Sequence, residues 1–222
     1  MTKSKGNLII LIILLFAGIH CLPQSSNLTD KINQYISDYK NLAINNMVNY
    51  GVPASITLAQ GILESRTGKS QLAVNANNHF GIKCKSDWKG DTYAYSDDAE
   101  DECFRKYSSS EESYKDHSIF LSTKPRYAFL FTYSNTDYKS WAIGLKEAGY
   151  ATNPKYPTLL VELIEQYKLS EYDKIGVAMI EELKSKKFNS TSENSMIASS
   201  IDFNNMNVNY AISVFPELFT EN

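Results

Sequence analysis

Gln60-Gly61-Ile62-Leu63-Glu64-Ser65-Arg66-Thr67-Gly68-Lys69-Ser70 joins the end of an apolar helix to a polar turn, and its reading decides the fold. Just upstream, Pro53 sits where a first-turn proline belongs, and Ile56, Ala59, Ile62 and Leu63 form an apolar stripe at helical spacing. The helix is expected to end near Gly68. Glu64 then lies close to its C-terminus, where the backbone dipole disfavours a carboxylate and favours the protonated form. A protonated carboxyl is what a general acid must offer. Helical side chains lean toward the N-terminus, so Glu64 should project over Gln60 and Gly61, and a glycine there would leave room for a ligand. Spacing alone fits a solvated glutamate at a helix end better, so the stretch has to be judged with its surroundings.

Working outward, Leu28, Ile32, Tyr35, Ile36, Tyr39, Leu42, Ala43 and Met47 predict a preceding helix, capped by Ser26 or Asn27 and stopped by Gly51. A polar loop with Asn75, Asn77 and Asn78 follows the central helix. Trp88, Thr92, Tyr93 and Tyr95 favour a strand, the cluster at 96–101 reads as a turn, and Cys103–Tyr107 returns as a second strand. Helices resume near residue 109, where Ser109 and Glu112 make a capping-box pattern. Tyr114, His117, Ser118 and Leu121 share one face of that helix, so His117 reads as a hydrogen-bonded structural histidine. A further helix runs from about Asp137 to Ala148 with Tyr138, Trp141, Ala142 and Leu145 inward and Gly149 as its stop. A last one starts near Pro157 and buries Leu159, Leu160, Leu163, Ile164 and Tyr167. Beyond it, Val177–Lys187 has helical character and 190–207 is rich in Ser and Asn. The expected class is α+β, mostly α: a helical body of about 150 residues with a small β-hairpin lobe, and a cleft between them.

The chain has 222 residues, with 43% hydrophobic and 21% charged side chains, which places it among folded chains and not disordered ones. A net charge of −3 without a basic cluster argues against a nucleic-acid partner. His20, His79 and His117 are the only histidines, and none pairs with a cysteine at zinc-ligand spacing, so neither a metal nor another cofactor is implied. The 15 tyrosines suit a sugar-binding surface or a core of amphipathic aromatics equally. Lys3 and Lys5 before an apolar run from Leu8 to Ala17 resemble an export signal over residues 1–21, too short for a comfortable permanent span. Lipidation at Cys21 would add a membrane anchor, although Ile19 and His20 fit a lipobox badly. Cys84 and Cys103 are natural disulfide partners in an oxidising compartment, with two buried thiols as the alternative. Closing that loop would contribute about 3 kcal/mol.

The stretch at 60–70 resembles the catalytic-helix motif of glycoside hydrolase family 73, which contains bacterial N-acetylglucosaminidase autolysins and flagellar hydrolase domains. Asn78-His79-Phe80-Gly81-Ile82-Lys83 is similar to the family's second motif, and Phe104-Arg105-Lys106-Tyr107 to the strand after its hairpin. Asp116-His117, Phe120-Leu121, Arg126-Tyr127, Ala148-Gly149-Tyr150-Ala151-Thr152 and Pro154-Lys155-Tyr156 complete an ordered series over residues 28–174. The resemblance implies a lysozyme-like fold with Glu64 as general acid. It implies that Tyr150 lines the cleft and assists catalysis, and that Asn78 and Phe80 lie near the active site as substrate-binding residues. Tyr127 is a candidate sugar contact or a core residue. Better-marked members carry a glutamate on a longer hairpin; here the hairpin is short, and Asp97 is the candidate second carboxylate. Some glycosidases use the substrate's acetamido group instead.

The expected layout is a signal peptide at 1–21, a linker at 22–27, a glucosaminidase domain at 28–174 and a partly disordered extension at 175–222. The expected substrate is the glycan strand of peptidoglycan, cut by an exported monomer. A non-catalytic glycan-binding protein, an endoglycosidase of N-linked glycans and a lytic transglycosylase are the competing readings. Glu64 in an intact motif argues against pure binding.

Overall fold

Gly51 ends the first helix because it can enter the left-handed region without a Cβ; its φ is +79°, and its N–H donates to Met47 O at 2.8 Å. The computed structural model describes residues 28–86, 88–96 and 101–193. The expected export segment, Cys21, the linker, the caps Ser26 and Asn27, Asp97 and the tail past 193 lie outside the described residues.

Two helices make the centre. α1 (Leu28–Tyr50) turns Ile32, Tyr35, Ile36, Ala43, Ile44 and Met47 inward. α2 (Ala54–Glu64) is buried at every position from Ala54 to Ile62. A helix buried on every face belongs in the middle of a body, and α2 packs against α1 and against three helices described below. Gly61 serves this packing. A Cβ there would sit 2.6 Å from Tyr35 Oη and 2.9 Å from Tyr114 Oη, so the glycine admits two tyrosines to the helix surface and makes no room for a ligand.

The central helix stops at Glu64, earlier than Gly68. Arg66, Thr67 and Gly68 follow with φ of +51°, +56° and +76°, a left-handed run no helix can contain. Ser65 plugs the break: its hydroxyl donates to Gly61 O at 2.5 Å and accepts from Gly68 N at 2.7 Å. A short helix α3 (Gln71–Ala76) then stands where a polar loop was expected. Ser70 caps it by accepting from Ala73 N, and left-handed Asn77 closes it with an N–H to Leu72 O. The asparagines are punctuation around a turn anchored by buried Leu72, Ala73 and Ala76.

The β-lobe is a single antiparallel pair, β1 (Thr92–Tyr95) and β2 (Glu102–Arg105), with Thr92 opposite Arg105 and Tyr95 opposite Glu102. β2 ends two residues short of Tyr107. Its other edge takes the incoming segment: Cys84 N donates to Cys103 O at 2.8 Å, and Arg105 N to Ile82 O at 2.9 Å. The Cys84–Cys103 disulfide fastens that edge, with Cα atoms 5.3 Å apart. Arg105, buried, anchors the lobe to α4 (Ser110–Thr123) by donating from Nη1 to both oxygens of Asp116 at 2.9 Å. Tyr107 Oη donates to the same carboxylate at 2.6 Å. Ser109 caps α4 as expected, accepting from Glu112 N, while Glu112 reaches back to Ser108 N.

A 3-10 helix (Pro125–Thr132) follows, then α5 (Tyr138–Glu147), α6 (Tyr156–Gln166) and α7 (Ser170–Glu193). Trp141, Ala142 and Leu145 face the core from α5, and Tyr156, Leu160 and Ile164 from α6; Leu159, Leu163 and Tyr167 are half-buried. α7 starts well before Val177 and runs through position 174, with Ile175 and Met179 buried. Gly176 lets it cross α1 closely, since a Cβ there would lie 2.6 Å from Met47 Sδ. The fold is the mostly helical body with a two-stranded lobe expected from the sequence. Among the described residues, no helix is long and apolar enough to cross a membrane.

α7 also completes α2. Pro53 precedes α2 and offers no side-chain cap. Asp173, fully buried, supplies one from 118 residues away: its carboxylate accepts from Ser55 N at 2.8 Å and from the Ser55 hydroxyl at 2.5 Å. Burial pushes the Asp173 carboxyl up to about 7, against hydrogen bonds from Ser55 that pull it down. The folded chain therefore retains a proton that the unfolded chain loses above about pH 4, and this contribution weakens as pH rises from about 4 to about 7. Burial acts on His79 and His117 in the opposite sense. It lowers them to about 4 and about 3, so the unfolded chain takes protons the fold refuses as pH falls below about 6.5.

Asp173→Ala is expected to cost about 1–2 kcal/mol at pH 5, read by chemical denaturation. With Asp173→Asn, the melting temperature relative to the parent should climb as pH rises from about 4 to about 7 and then level; a pH-independent difference would contradict the buried proton. Full reduction of Cys84–Cys103 is expected to remove about 3 kcal/mol. An unchanged melting temperature with both thiols shown free by mass spectrometry would deny the bridge that role.

Candidate active site

The cleft between body and lobe has a volume of about 500 Å³. Leu63 and Glu64 enter it from the end of α2, and Phe80 to Lys83 from the segment before the lobe. Arg126 and Tyr127 come from the 3-10 helix, Tyr150 to Asn153 from the turn after α5, and Tyr156 from the start of α6. Each element presents its residue where it ends or begins. The α2 stop is the clearest case, because the helix ends at Glu64 itself and a left-handed run follows. Such strained backbone in non-glycine residues is characteristic of functional sites.

A hydrogen-bonded chain backs Glu64. Tyr156 Oη donates to Glu64 Oε1 at 2.9 Å. Gln60 Nε2, one helical turn below Glu64, donates to Tyr156 Oη at 2.9 Å. Gln60 Oε1 lies 3.1 Å from His117 Nε2. Gln60 and His117 are fully buried. Aromatic rings wrap the chain: Phe80 stacks on His117 with centroids 3.9 Å apart, and Tyr150 stacks on Tyr156 at 5.8 Å. Burial pushes the hydroxyls of Tyr150 and Tyr156 well above the ordinary tyrosine range, with the charge of Glu64 adding to the effect. Both remain protonated donors.

The structure brings Glu64, Tyr150, Phe80 and Tyr127 together on this cleft. The hydroxyls of Tyr127 and Tyr150 are sealed from solvent; that of Tyr150 has no hydrogen-bond partner among the described residues, and that of Tyr127 lies beside Arg126. The Arg126 guanidinium rests over the Tyr127 ring at 4.6 Å. Asn78 has a different task from the one its position in the sequence implied. Its Nδ2 donates to Ile82 O at 3.0 Å and Arg105 O at 2.8 Å, and its Oδ1 accepts from Ile82 N at 3.1 Å. It clamps the lobe's entry segment to β2, and its amide is spent on backbone. Asp97, the candidate second carboxylate, lies outside the described residues. His117 is the structural histidine expected, and it stands directly behind the acid.

Sequence reasoning assigned no role to Gln60, Tyr156 or Arg126. The i,i+4 spacing of Gln60 and Glu64 on one helix was a usable signal. The contact from Tyr156 spans 92 residues, and only the fold reveals it. Among the cleft-lining residues described, Glu64 is the one carboxylate, beside Lys83, Lys85 and Arg126. A lone acid between aromatic walls can protonate a leaving oxygen while ring faces hold a sugar.

The family model described as mannosyl-glycoprotein endo-beta-N-acetylglucosaminidase matches residues 40–169. The chain is 36% identical over 161 residues to the exo-glucosaminidase LytG of Bacillus subtilis, covering 67% of this chain and 54% of LytG. It is 35% identical over 130 residues to the peptidoglycan hydrolase FlgJ of Salmonella typhimurium, covering 53% of this chain and 40% of FlgJ. The chain thus spans about half the length of these curated relatives. Among solved structures, the glycoside hydrolase domain of Salmonella typhimurium FlgJ superimposes with a TM-score of 0.53 at 31% identity, over 73% of this chain and 98% of that domain. The peptidoglycan hydrolase from Sphingomonas sp. A1 gives 0.55 at 30% identity, over 64% and 94%.

Proposed function

We propose, from the premise that this chain belongs to the glucosaminidase family of glycoside hydrolases, glycoside hydrolase family 73, that it hydrolyses β-1,4 bonds of N-acetylglucosamine in the glycan strands of peptidoglycan. The observation that carries the reading is Glu64 as the one described carboxylate on the cleft, held by Tyr156 Oη at 2.9 Å between aromatic walls.

In this reading Glu64 gives its proton to the glycosidic oxygen as the bond to the anomeric carbon breaks and oxocarbenium character develops. The ring faces of Phe80, Tyr127 and Tyr150 position the sugars. The hydroxyl of Tyr150 is sealed behind its ring, so Tyr150 serves catalysis by the ring face it turns to the cleft. Asp97, or the substrate's own acetamido oxygen, stabilises the anomeric centre, and water completes the hydrolysis. Lys85 and Arg126 suit a polymer bearing carboxylates on its stem peptides, which favours wall glycan over neutral N-linked glycans. The lysine-led apolar segment near the N-terminus supports export through a signal ending near residue 21, with lipidation at Cys21 as the membrane-bound variant. The domain at 28–174 then acts as a monomer outside the cytoplasm.

Purified peptidoglycan digested by the protein, then reduced with borohydride, should yield fragments ending in reduced N-acetylglucosamine. Glu64→Gln, with an unchanged melting temperature, should lose at least about 1,000-fold in rate. Fragments ending at reduced N-acetylmuramic acid would move the cleaved bond. Undiminished activity in the folded variant would remove Glu64 from the chemistry, and binding of the wall without fragments would leave a glycan-binding module.

A further inference from the structure

A carboxylic acid has two oxygens, and as a general acid it works only if the proton is on the one that meets the leaving group. Resting on the reading of Glu64 as the acid, we infer that His117, Gln60 and Tyr156 form a one-way relay that holds Glu64 Oε1 as an acceptor and assigns the transferable proton to Oε2.

The direction of the relay is set at its buried end. A tyrosine hydroxyl can rotate and a glutamine amide can be turned over, so neither fixes a direction alone. His117 does. Burial keeps its ring neutral, with one proton for two nitrogens. Nδ1 is buried without a partner among the described residues, while Nε2 faces Gln60 at 3.1 Å. A proton on Nδ1 would be a buried unpaired N–H, which folded proteins tolerate less often than an unpaired acceptor, so the proton sits on Nε2. Stacking on Phe80 at an interplanar angle of 15° holds the ring's plane, and within that plane a flip would put a carbon in place of Nε2 and lose the bond to Gln60. Gln60 must then accept with Oε1 and donate from Nε2 to Tyr156. Tyr156, already accepting, aims its proton at Glu64 Oε1.

Oε1 remains an acceptor whether Glu64 is protonated or ionised. In the acid it is the carbonyl oxygen, and Oε2 carries the proton. After transfer the same three donors stabilise the carboxylate with no group moving, which is preorganisation in the strict sense. Tyr156, Gln60 and His117 are thus positioning residues. Tyr127, Tyr150, Lys83, Lys85 and Arg126 also line this cleft, and they stay in place in every variant below.

The test is the titration of the Glu64 carboxyl, followed by carbon-13 NMR in the full chain, with the Glu64→Gln spectrum identifying its signal. Tyr156→Phe removes the relay's terminal hydroxyl, and the midpoint of Glu64 should rise by about one pH unit. Gln60→Met keeps the hydroxyl but frees its direction, and should raise the midpoint by about half as much. On peptidoglycan, kcat should fall roughly tenfold with KM nearly unchanged, and the alkaline limb of the kcat profile should move up in step. Variants that fold as the parent does and titrate as the parent does would overturn the relay. If Tyr156→Phe fails to fold, Gln60→Met and His117→Phe decide on the same readout. The titration needs no substrate, so a shifted midpoint in a protein that cuts no glycan would refute the proposed function and keep the relay.

Discussion

The whole arrangement depends on burying α2 on every side. A helix with polar backbone ends at the centre of a body must have those ends satisfied by other parts of the chain. Asp173 of α7 meets the N-terminal end, and the Ser65 plug with its left-handed turn meets the other. Between them Gly61 admits Tyr35 and Tyr114, whose hydroxyls bond to each other at 2.8 Å, and Tyr35 continues to His79 Nδ1 at 2.8 Å. The scaffold around the acid is therefore polar as well as apolar. The buried hydroxyls of Tyr114 and Tyr35 are tied to each other and on to His79, which narrows the number of ways this part of the core can settle.

The lobe is held in the same manner by fewer contacts. Two strands make a marginal sheet in water. Here the disulfide, the Asn78 clamp and the Arg105–Asp116 pair replace the missing core. All three converge on β2 and its incoming neighbour, the segment that also brings Phe80 to the cleft. The lobe's stability and the position of one cleft wall are consequently a single matter.

Much of this was legible in the chain. The helices announced themselves by apolar period, Ser109 and Glu112 by capping chemistry, and Cys84 and Cys103 by the oxidising context. Glu64 was found because a helix end, a turn and an ordered set of motifs coincide there. What escaped was non-local. Gly61 read as open space because nothing in its neighbourhood names Tyr35 or Tyr114. Asn78 read as a ligand contact because its motif is near the cleft, yet its partners are backbone atoms up to 27 residues away. Asparagines at 75–78 suggested a loop because polarity was weighed over the cap and anchor that make α3. Tyr156 and Asp173 reach their targets across 92 and 118 residues, beyond any periodicity.

The distant cap on α2 changes what counts as a module. The segment matching the family ends at residue 169, and Asp173 lies beyond it. A graft cut at the family boundary would carry the acid, the aromatic walls and the relay, yet leave its central helix open at one end. The transplantable unit in this protein extends into α7, and its inheritance as a block follows from one carboxyl group at the far end of the fold.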